Sequence, residues 1–349
     1  MSRPPKPHEL LEGLVLDGGW RVTQLLPREA DATGGHFSCG YLATGPEGRQ
    51  AYLKALDFFS GLTEEEDPAR ALEPLILAFN FERDLLTRCN DRRLSHVVRA
   101  LFFGKTDLVV GGARWSVQYI AFELADGDIR AQMAKLDHLD LAWTVRSLHQ
   151  VAVGLSQLHS ISIAHQDTKP SNVLCFHRMS KLADLGRATA RDRSAPHDEF
   201  EVAGDWSYAP PEALYGATSP SWEARRFGCD AYHLGSMTTF MFALQAMTPM
   251  LLTYLPEELH WRQWSGTYGD ILPHLRAAFA ESMEAFAADV PEDCRTEVVM
   301  MVRQLCDPDP ALRGHPKERA SSNPYSLRRY VTELDLLARR AEYRLLDRR

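Results

Sequence analysis

The chain has 349 residues, 45% hydrophobic and 25% charged, enough for one large or two small cores, which excludes a disordered or fibrous chain. A net charge of -8 argues against nucleic-acid binding as its main business. The six cysteines contain no Cys-x-x-Cys pair, which argues against a zinc site or disulfide framework and fits a reducing cytoplasm.

Residues 1–19 are rich in Pro and Gly and predict a flexible lead-in, with no apolar run for a signal peptide and no lipidation motif. Strand-like segments follow at 20–26, 34–43 and 50–56, separated by Gly-bearing turns. The stretch from Asp57 to Arg70, with Glu64-Glu65-Glu66-Asp67, reads as a solvated acidic loop. Beyond it, Leu75, Phe79, Glu82 and Leu86 share one face of a 3.6-residue period, which sets a carboxylate on an apolar stripe. Burying that charge without a partner costs several kcal/mol, so a cation is expected to meet it.

Two further strands are expected at 97–101 and 115–124. A helix is expected from Leu139 to His159, where Leu141, Val145, Leu148, Val151, Leu155 and Leu158 recur at helical spacing. From Ala231 to Pro256 there is no charged residue. His233, Ser236, Thr238, Thr239 and Gln245 interrupt the apolar run and no basic cluster flanks it, so a buried helix is expected rather than a membrane span. The end, 322–349, reads as an amphipathic helix with Leu327, Val331, Leu334, Leu337, Leu345 and Leu346 on one side and arginines on the other.

The stretch His165-Gln166-Asp167-Thr168-Lys169-Pro170-Ser171-Asn172, followed by Asp184-Leu185-Gly186, carries the chemistry. A hydroxyl attacking a phosphate needs a carboxylate to orient it and take its proton, a cation for the transferred group, and hard oxygen ligands for a divalent metal. Asp167, Lys169, Asn172 and Asp184 supply those parts.

This pattern resembles the catalytic loop and metal-binding turn of the eukaryotic-like protein kinases, whose signature is His-Arg-Asp, then Lys and Asn, then Asp-Phe-Gly. Other motifs follow in family order. Lys54, in Tyr52-Leu53-Lys54, resembles the phosphate-binding lysine of the third strand, and Glu82 its ion-pair partner. Gly204-Asp205-Trp206-Ser207-Tyr208-Ala209-Pro210-Pro211-Glu212 resembles the close of the activation segment, and Asp230 to Gly235 the Asp-x-x-x-x-Gly helix start. Arg313, in Asp307-Pro308-Asp309-Pro310-Ala311-Leu312-Arg313, resembles the arginine that pairs with the glutamate at Glu212. The resemblance spans about residues 20 to 318.

It implies an α+β, two-lobed protein-kinase-like fold, with a β-rich N-lobe over 20–124, a mainly helical C-lobe over 125–320 and a helical extension over 321–349. It further implies ATP beneath a glycine-rich hairpin at Gly34, Gly35, Phe37 and Ser38, with Phe122 behind the adenine and Glu123 to Ala125 as the hinge. Asp128 stands near the ribose, Asn172 and Asp184 hold Mg2+ with Mn2+ as the alternative, and Asp167 and Lys169 act on the acceptor. Lys two residues after Asp resembles the Ser/Thr branch, and the implied partners are ATP and a protein substrate, without nucleic acid or membrane, the C-terminal helix being a candidate docking element.

The chain departs from the pattern where Gln166 replaces the arginine that grips an activation-segment phosphate, so switching by that phosphate is not expected. Tyr52 and Ser38 replace small residues around the nucleotide. Asp205 replaces a threonine and is expected to accept from Lys169 while repelling Asp167 and raising a carboxylate pKa. These changes support an alternative, a pseudokinase acting as a nucleotide-binding or scaffolding module.

Overall fold

The computed structural model describes residues 5–27, 38–59 and 68–347, with side chains from Leu72 onward in the last of these. Gly34, Gly35 and Phe37 lie outside the described residues. The chain divides into two compact units, Met1–Arg93 with Val98–Asp126, and Leu94–Val97 with Gly127–Arg349.

The first unit is a five-stranded antiparallel sheet of β1 (Arg21–Leu25), β2 (Ser38–Thr44), β3 (Gln50–Leu56), β4 (Ala100–Val110) and β5 (Ala113–Glu123), in the order β1-β2-β3-β5-β4. Period-two alternation drives it: along β3, Ala51, Leu53 and Ala55 are fully buried while Tyr52, Lys54 and Leu56 are half-buried on the other face. The strand expected at 97–101 instead begins at Ala100 and runs to Val110, because alternation continues through Leu108 and the left-handed Gly111 and Gly112 turn it directly into β5.

The flexible lead-in is corrected for the described residues 5–19. Leu11 and Leu16 join Trp20, Val22, Tyr41 and Tyr119 in one apolar core. The Tyr41 hydroxyl donates to the His8 carbonyl at 2.7 Å and accepts from the Leu11 amide at 3.3 Å, which fixes this segment to β2. Helix α1 (Pro68–Asp91) starts inside the expected acidic loop, so the loop does not reach Arg70. Its buried face carries Phe79, Glu82, Leu85, Leu86 and Cys89.

The second unit is mainly helical. After the short β6 (Gly127–Asp128) and α2 (Ile129–Met133), helix α3 (Leu141–Ser160) is capped by Asp140, whose carboxylate accepts from the Trp143 amide at 3.0 Å. It buries Val145, Leu148, Val151, Leu155 and Leu158, the expected stripe. Small paired strands follow: β7 (Ile163–Ala164), β8 (Val173–Phe176), β9 (Met179–Leu182) and β10 (Thr189–Ala190), with β7 against β10 and β8 between β6 and β9.

The uncharged stretch forms two helices. α5 (Trp222–Ala243), which follows the short α4 (Pro211–Leu214), ends where Leu244 turns left-handed at φ 56°, and α6 (Met247–Thr253) follows. Asp230 therefore lies inside α5 rather than at its start. No described helix is long and apolar enough to cross a membrane. Helices α7 (Tyr268–Asp289), α8 (Arg295–Leu305) and α9 (Arg328–Asp347) complete the unit.

Helix α9 packs on α3 and buries Tyr330, Leu334, Leu337, Ala338 and Ala341. Arg146 of α3 locks it with a bidentate bond to Glu342, 2.7 and 2.9 Å, and a third bond to Asp335 at 2.9 Å. Leu345 and Leu346 are exposed, so the expected apolar side ends at Ala341.

Candidate active site

Helix α3 delivers the loop. Ser162 leaves the helix in the left-handed region at φ 59°, β7 pairs with β10, and the chain enters His165 to Asn172 almost wholly buried. Gln166 is left-handed as well, at φ 64°, a conformation that costs a non-glycine residue roughly 1 kcal/mol. The fully buried Asp230 offsets it by accepting from the His165 and Gln166 amides, each at 2.8 Å. Charge-assisted bonds of this kind are worth about 1.5–3 kcal/mol each, so the loop geometry is held with margin.

His165 fixes the next step. Its Nε2 meets the Ala183 carbonyl at 2.9 Å and its Nδ1 meets the Asp167 amide at 3.3 Å. A carbonyl only accepts and an amide hydrogen is only donated, so the ring carries its hydrogen on Nε2.

Asp167 is the hub. Its Oδ2 accepts from Asn172 Nδ2 at 2.9 Å and lies 3.3 Å from Lys169 Nζ, while its Oδ1 accepts from the Asp205 amide at 2.8 Å. Burial pushes its pKa up, Lys169 opposes, the Asp184 charge pushes it further up, and the Asp205 amide opposes again; the net direction is upward. Toward Asp167, Asp205 presents its backbone N–H. Its carboxylate accepts from Lys169 at 3.3 Å, as expected, and from the Ser207 amide at 3.0 Å. Burial alone would raise Asp205, but the Ser207 amide and the Lys169 charge outweigh it and hold the group below its ordinary value.

Gly204 makes this approach possible. A Cβ there would sit 2.5 Å from the Gln166 carbonyl and 2.6 Å from Asp167 Oδ1. Beyond it a cavity of about 490 Å³ opens, lined by Gln166, Gly204, Asp205, Arg226, His233 and Tyr268 among others.

Asn172 uses its Nδ2 on the Asp167 carbonyl and carboxylate, 2.8 and 2.9 Å, which turns its Oδ1 away from Asp167. The Asn172 carbonyl accepts from the Ala183 amide at 2.9 Å, so Asp184 follows directly in register. Asp184 is left-handed at φ 57°, with Oδ1 3.4 Å from the Gly186 amide. An amide oxygen and a carboxylate, with no sulfur or imidazole in the pair, fit a hard divalent cation such as Mg2+ or Mn2+.

In the first unit, Lys54 Nζ lies 3.2 and 3.4 Å from the Glu82 carboxylate oxygens, and the Glu82 side chain is 7% exposed. Tyr52 pairs in register with Phe122 and its ring lies over Gly40, where a Cβ would meet the hydroxyl at 2.6 Å. Ser38 opens β2 opposite Leu56. The Glu123 amide donates to the Arg99 carbonyl at 3.2 Å and its carboxylate accepts from the Arg99 amide at 2.8 Å. Ala125 is half-buried. Asp128, in the second unit, caps α2 by accepting from the Ala131 amide at 2.8 Å.

Downstream, the Arg313 guanidinium, fully buried, forms a bidentate pair with Glu212, with Nη2 2.7 Å from Oε2. Sequence reasoning missed Arg226, whose Nη2 bonds Asp198 Oδ1 at 2.9 Å and whose Nη1 bonds Gln166 Oε1 at 3.3 Å. Partners 28 and 60 residues apart leave no local pattern.

The family model described as "Protein kinase domain" matches residues 82–325, more than half of the chain. The chain belongs to the protein kinase family. The match starts at Glu82, so β1 to β3 and Lys54 of this kinase lie before it. Similar relatives include a probable serine/threonine-protein kinase of Dictyostelium discoideum, 24% identical over 78% of this chain and 25% of that protein. Others are a Wee1-like protein kinase of Oryza sativa subsp. japonica, 28% identical over 57% of this chain and 31% of that protein, and cyclin-dependent kinase 15 of Homo sapiens, 29% identical over 54% and 43%. This kinase thus spans less than half the length of each of these relatives.

Proposed function

We propose that this kinase transfers the γ-phosphoryl group of ATP to serine or threonine hydroxyls of a protein substrate, in a reducing cytoplasmic setting. The observation that carries this reading is the Asp167 carboxylate, with Oδ2 against Asn172 and Lys169 and Oδ1 against the Asp205 amide. Asp167 orients the acceptor hydroxyl and takes its proton as the oxygen attacks phosphorus. Its pKa, raised by burial, makes it a better base than an ordinary aspartate.

Lys169, between Asp167 and Asp205 at 3.3 Å from each, supplies positive charge to the transferred group. Lys54, oriented by Glu82, binds the nucleotide phosphates. Gly34, Gly35, Phe37, Ser38, Tyr52, Phe122, Glu123, Ala125 and Asp128 contribute to nucleotide recognition. Asn172 and Asp184 would hold a divalent cation, which when bound neutralises phosphate charge. The Ser/Thr assignment rests on Lys169 two residues after Asp167 and on the serine/threonine kinase among the relatives.

A second reading, a pseudokinase, is favoured by one observation: Tyr52 lies on the same strand face as Lys54, where its bulk narrows the space for a base. Incubation with γ-labelled ATP, a divalent metal and a generic protein acceptor separates the two. The kinase reading expects label on serine or threonine in the wild type, lost with a chelator and reduced about 100-fold or more in Asp167→Ala and Asp184→Ala. Thermal stabilisation by nucleotide in a protein that transfers no label to itself or to any of a panel of acceptors supports the pseudokinase.

A further inference from the structure

The segment between Asp184 and Glu212 has to be ordered for Gly204 and Asp205 to meet Asp167, and the loop residue next to Asp167 is an uncharged glutamine. Its amide is nonetheless fully used. Gln166 Nε2 donates to the Arg226 carbonyl at 2.8 Å and to Asp230 Oδ1 at 3.2 Å, and Oε1 accepts from Arg226 Nη1 at 3.3 Å. A side chain that both donates and accepts is required here, and an arginine would set a second guanidinium against that of Arg226.

Arg226 itself is 6% exposed, and burial pulls its pKa down while the Asp198 charge pushes back. Its Nη2 bonds both Asp198 Oδ1, at 2.9 Å, and the Asp198 carbonyl, at 3.2 Å. Asp198 Oδ2 accepts from the Ala195 amide at 2.7 Å and its own amide donates back to the Ala195 carbonyl at 3.1 Å, closing a turn. From that turn the chain runs to Gly204 and the Asp205 amide, 2.8 Å from Asp167 Oδ1.

We infer that Arg226 and Asp198 are positioning residues for Asp167: an ion pair built into the chain holds the segment from Arg187 to Ala209 in register, so that no phosphate on this segment is needed. The cation has moved from the catalytic loop to α5, and the anion is a permanent carboxylate. Gln166 joins the pair to the loop. The inference rests on the kinase reading of the Asp167 loop for its catalytic meaning, but its geometry is testable without turnover.

The test is hydrogen exchange of the full chain for wild type, Asp198→Asn, Asp198→Glu and Gln166→Arg, before and after phosphatase treatment. Loss of one charge-assisted bond is expected to speed exchange of the Ala195 and Asp205 amides about tenfold or more in Asp198→Asn and Gln166→Arg, with α3 and the interior of α5 unchanged. Asp198→Glu restores most of the protection, and phosphatase leaves the wild type as it was. In label transfer, Asp198→Asn lowers kcat per folded molecule, with the folded fraction read from its unfolding transition, while KM for ATP stays constant and Asp198→Glu restores the rate. Wild-type exchange at Asp205 in Asp198→Asn overturns the proposal, as does loosening of 187–209 in the wild type by phosphatase alone. Failure of the kinase reading is seen separately, as Asp167→Ala transferring label as fast as wild type.

Discussion

Burial raises the pKa of Asp167 above 3.8, against Lys169, and this links catalysis and stability with opposite signs. In the proposed reaction the base works only when ionised, so kcat is expected to fall as pH drops through the raised value, which a pH–rate profile reads directly. For stability, a carboxyl whose folded pKa is raised contributes fully below its unfolded value and loses that contribution as pH rises through the folded one. Asp167→Asn removes the titration and keeps the acceptor for the Asp205 amide. Its Nδ2 then faces Asn172 Nδ2 and Lys169 Nζ, so the test is the trend: its melting temperature relative to wild type should rise as pH increases above about 4. A gain that grows on acidification contradicts the assignment of burial as the dominant cause. At this scale the sequence was informative: Asp167, Lys169, Asn172 and Asp184 were legible as a set, because their spacing is local. The role of the Asp205 amide was not, since a backbone N–H leaves no mark on residue type.

At the scale of elements, α1 and β3 share one buried charge pair. Lys54→Ala leaves the Glu82 carboxylate buried without its lysine and should cost about 3 kcal/mol in denaturant unfolding, whereas Lys54→Met combined with Glu82→Leu should recover most of that loss. Equal destabilisation of the single and double variants would show that the pair carries no such penalty. Helix α3 holds the loop by packing, so Leu155→Ala, at a fully buried position, should cost about 3 kcal/mol by the same measurement. Periodicity made the stripes of α1, α3 and β3 readable. It could not show where α5 stops, because the break at Leu244 is a backbone turn within an apolar run, nor that Leu11 and Leu16 pack, because Leu10, Leu11, Leu14 and Leu16, set among prolines and glycines, are too short a run to establish a period.

For the whole molecule, the family match and the order of motifs agree on a protein kinase. The Arg313–Glu212 pair was implied by the resemblance of two motifs far apart in sequence, and the fork is there. The Arg146 lock on α9 was not, since its partners Asp335 and Glu342 lie 189 and 196 residues away. The most direct test of the central claim is the rate of label transfer from γ-labelled ATP to serine or threonine in wild type and Asp167→Asn, both shown folded by their unfolding transitions. The account predicts transfer in the wild type and a fall of about 100-fold or more in the variant. Equal rates in the two proteins would contradict it.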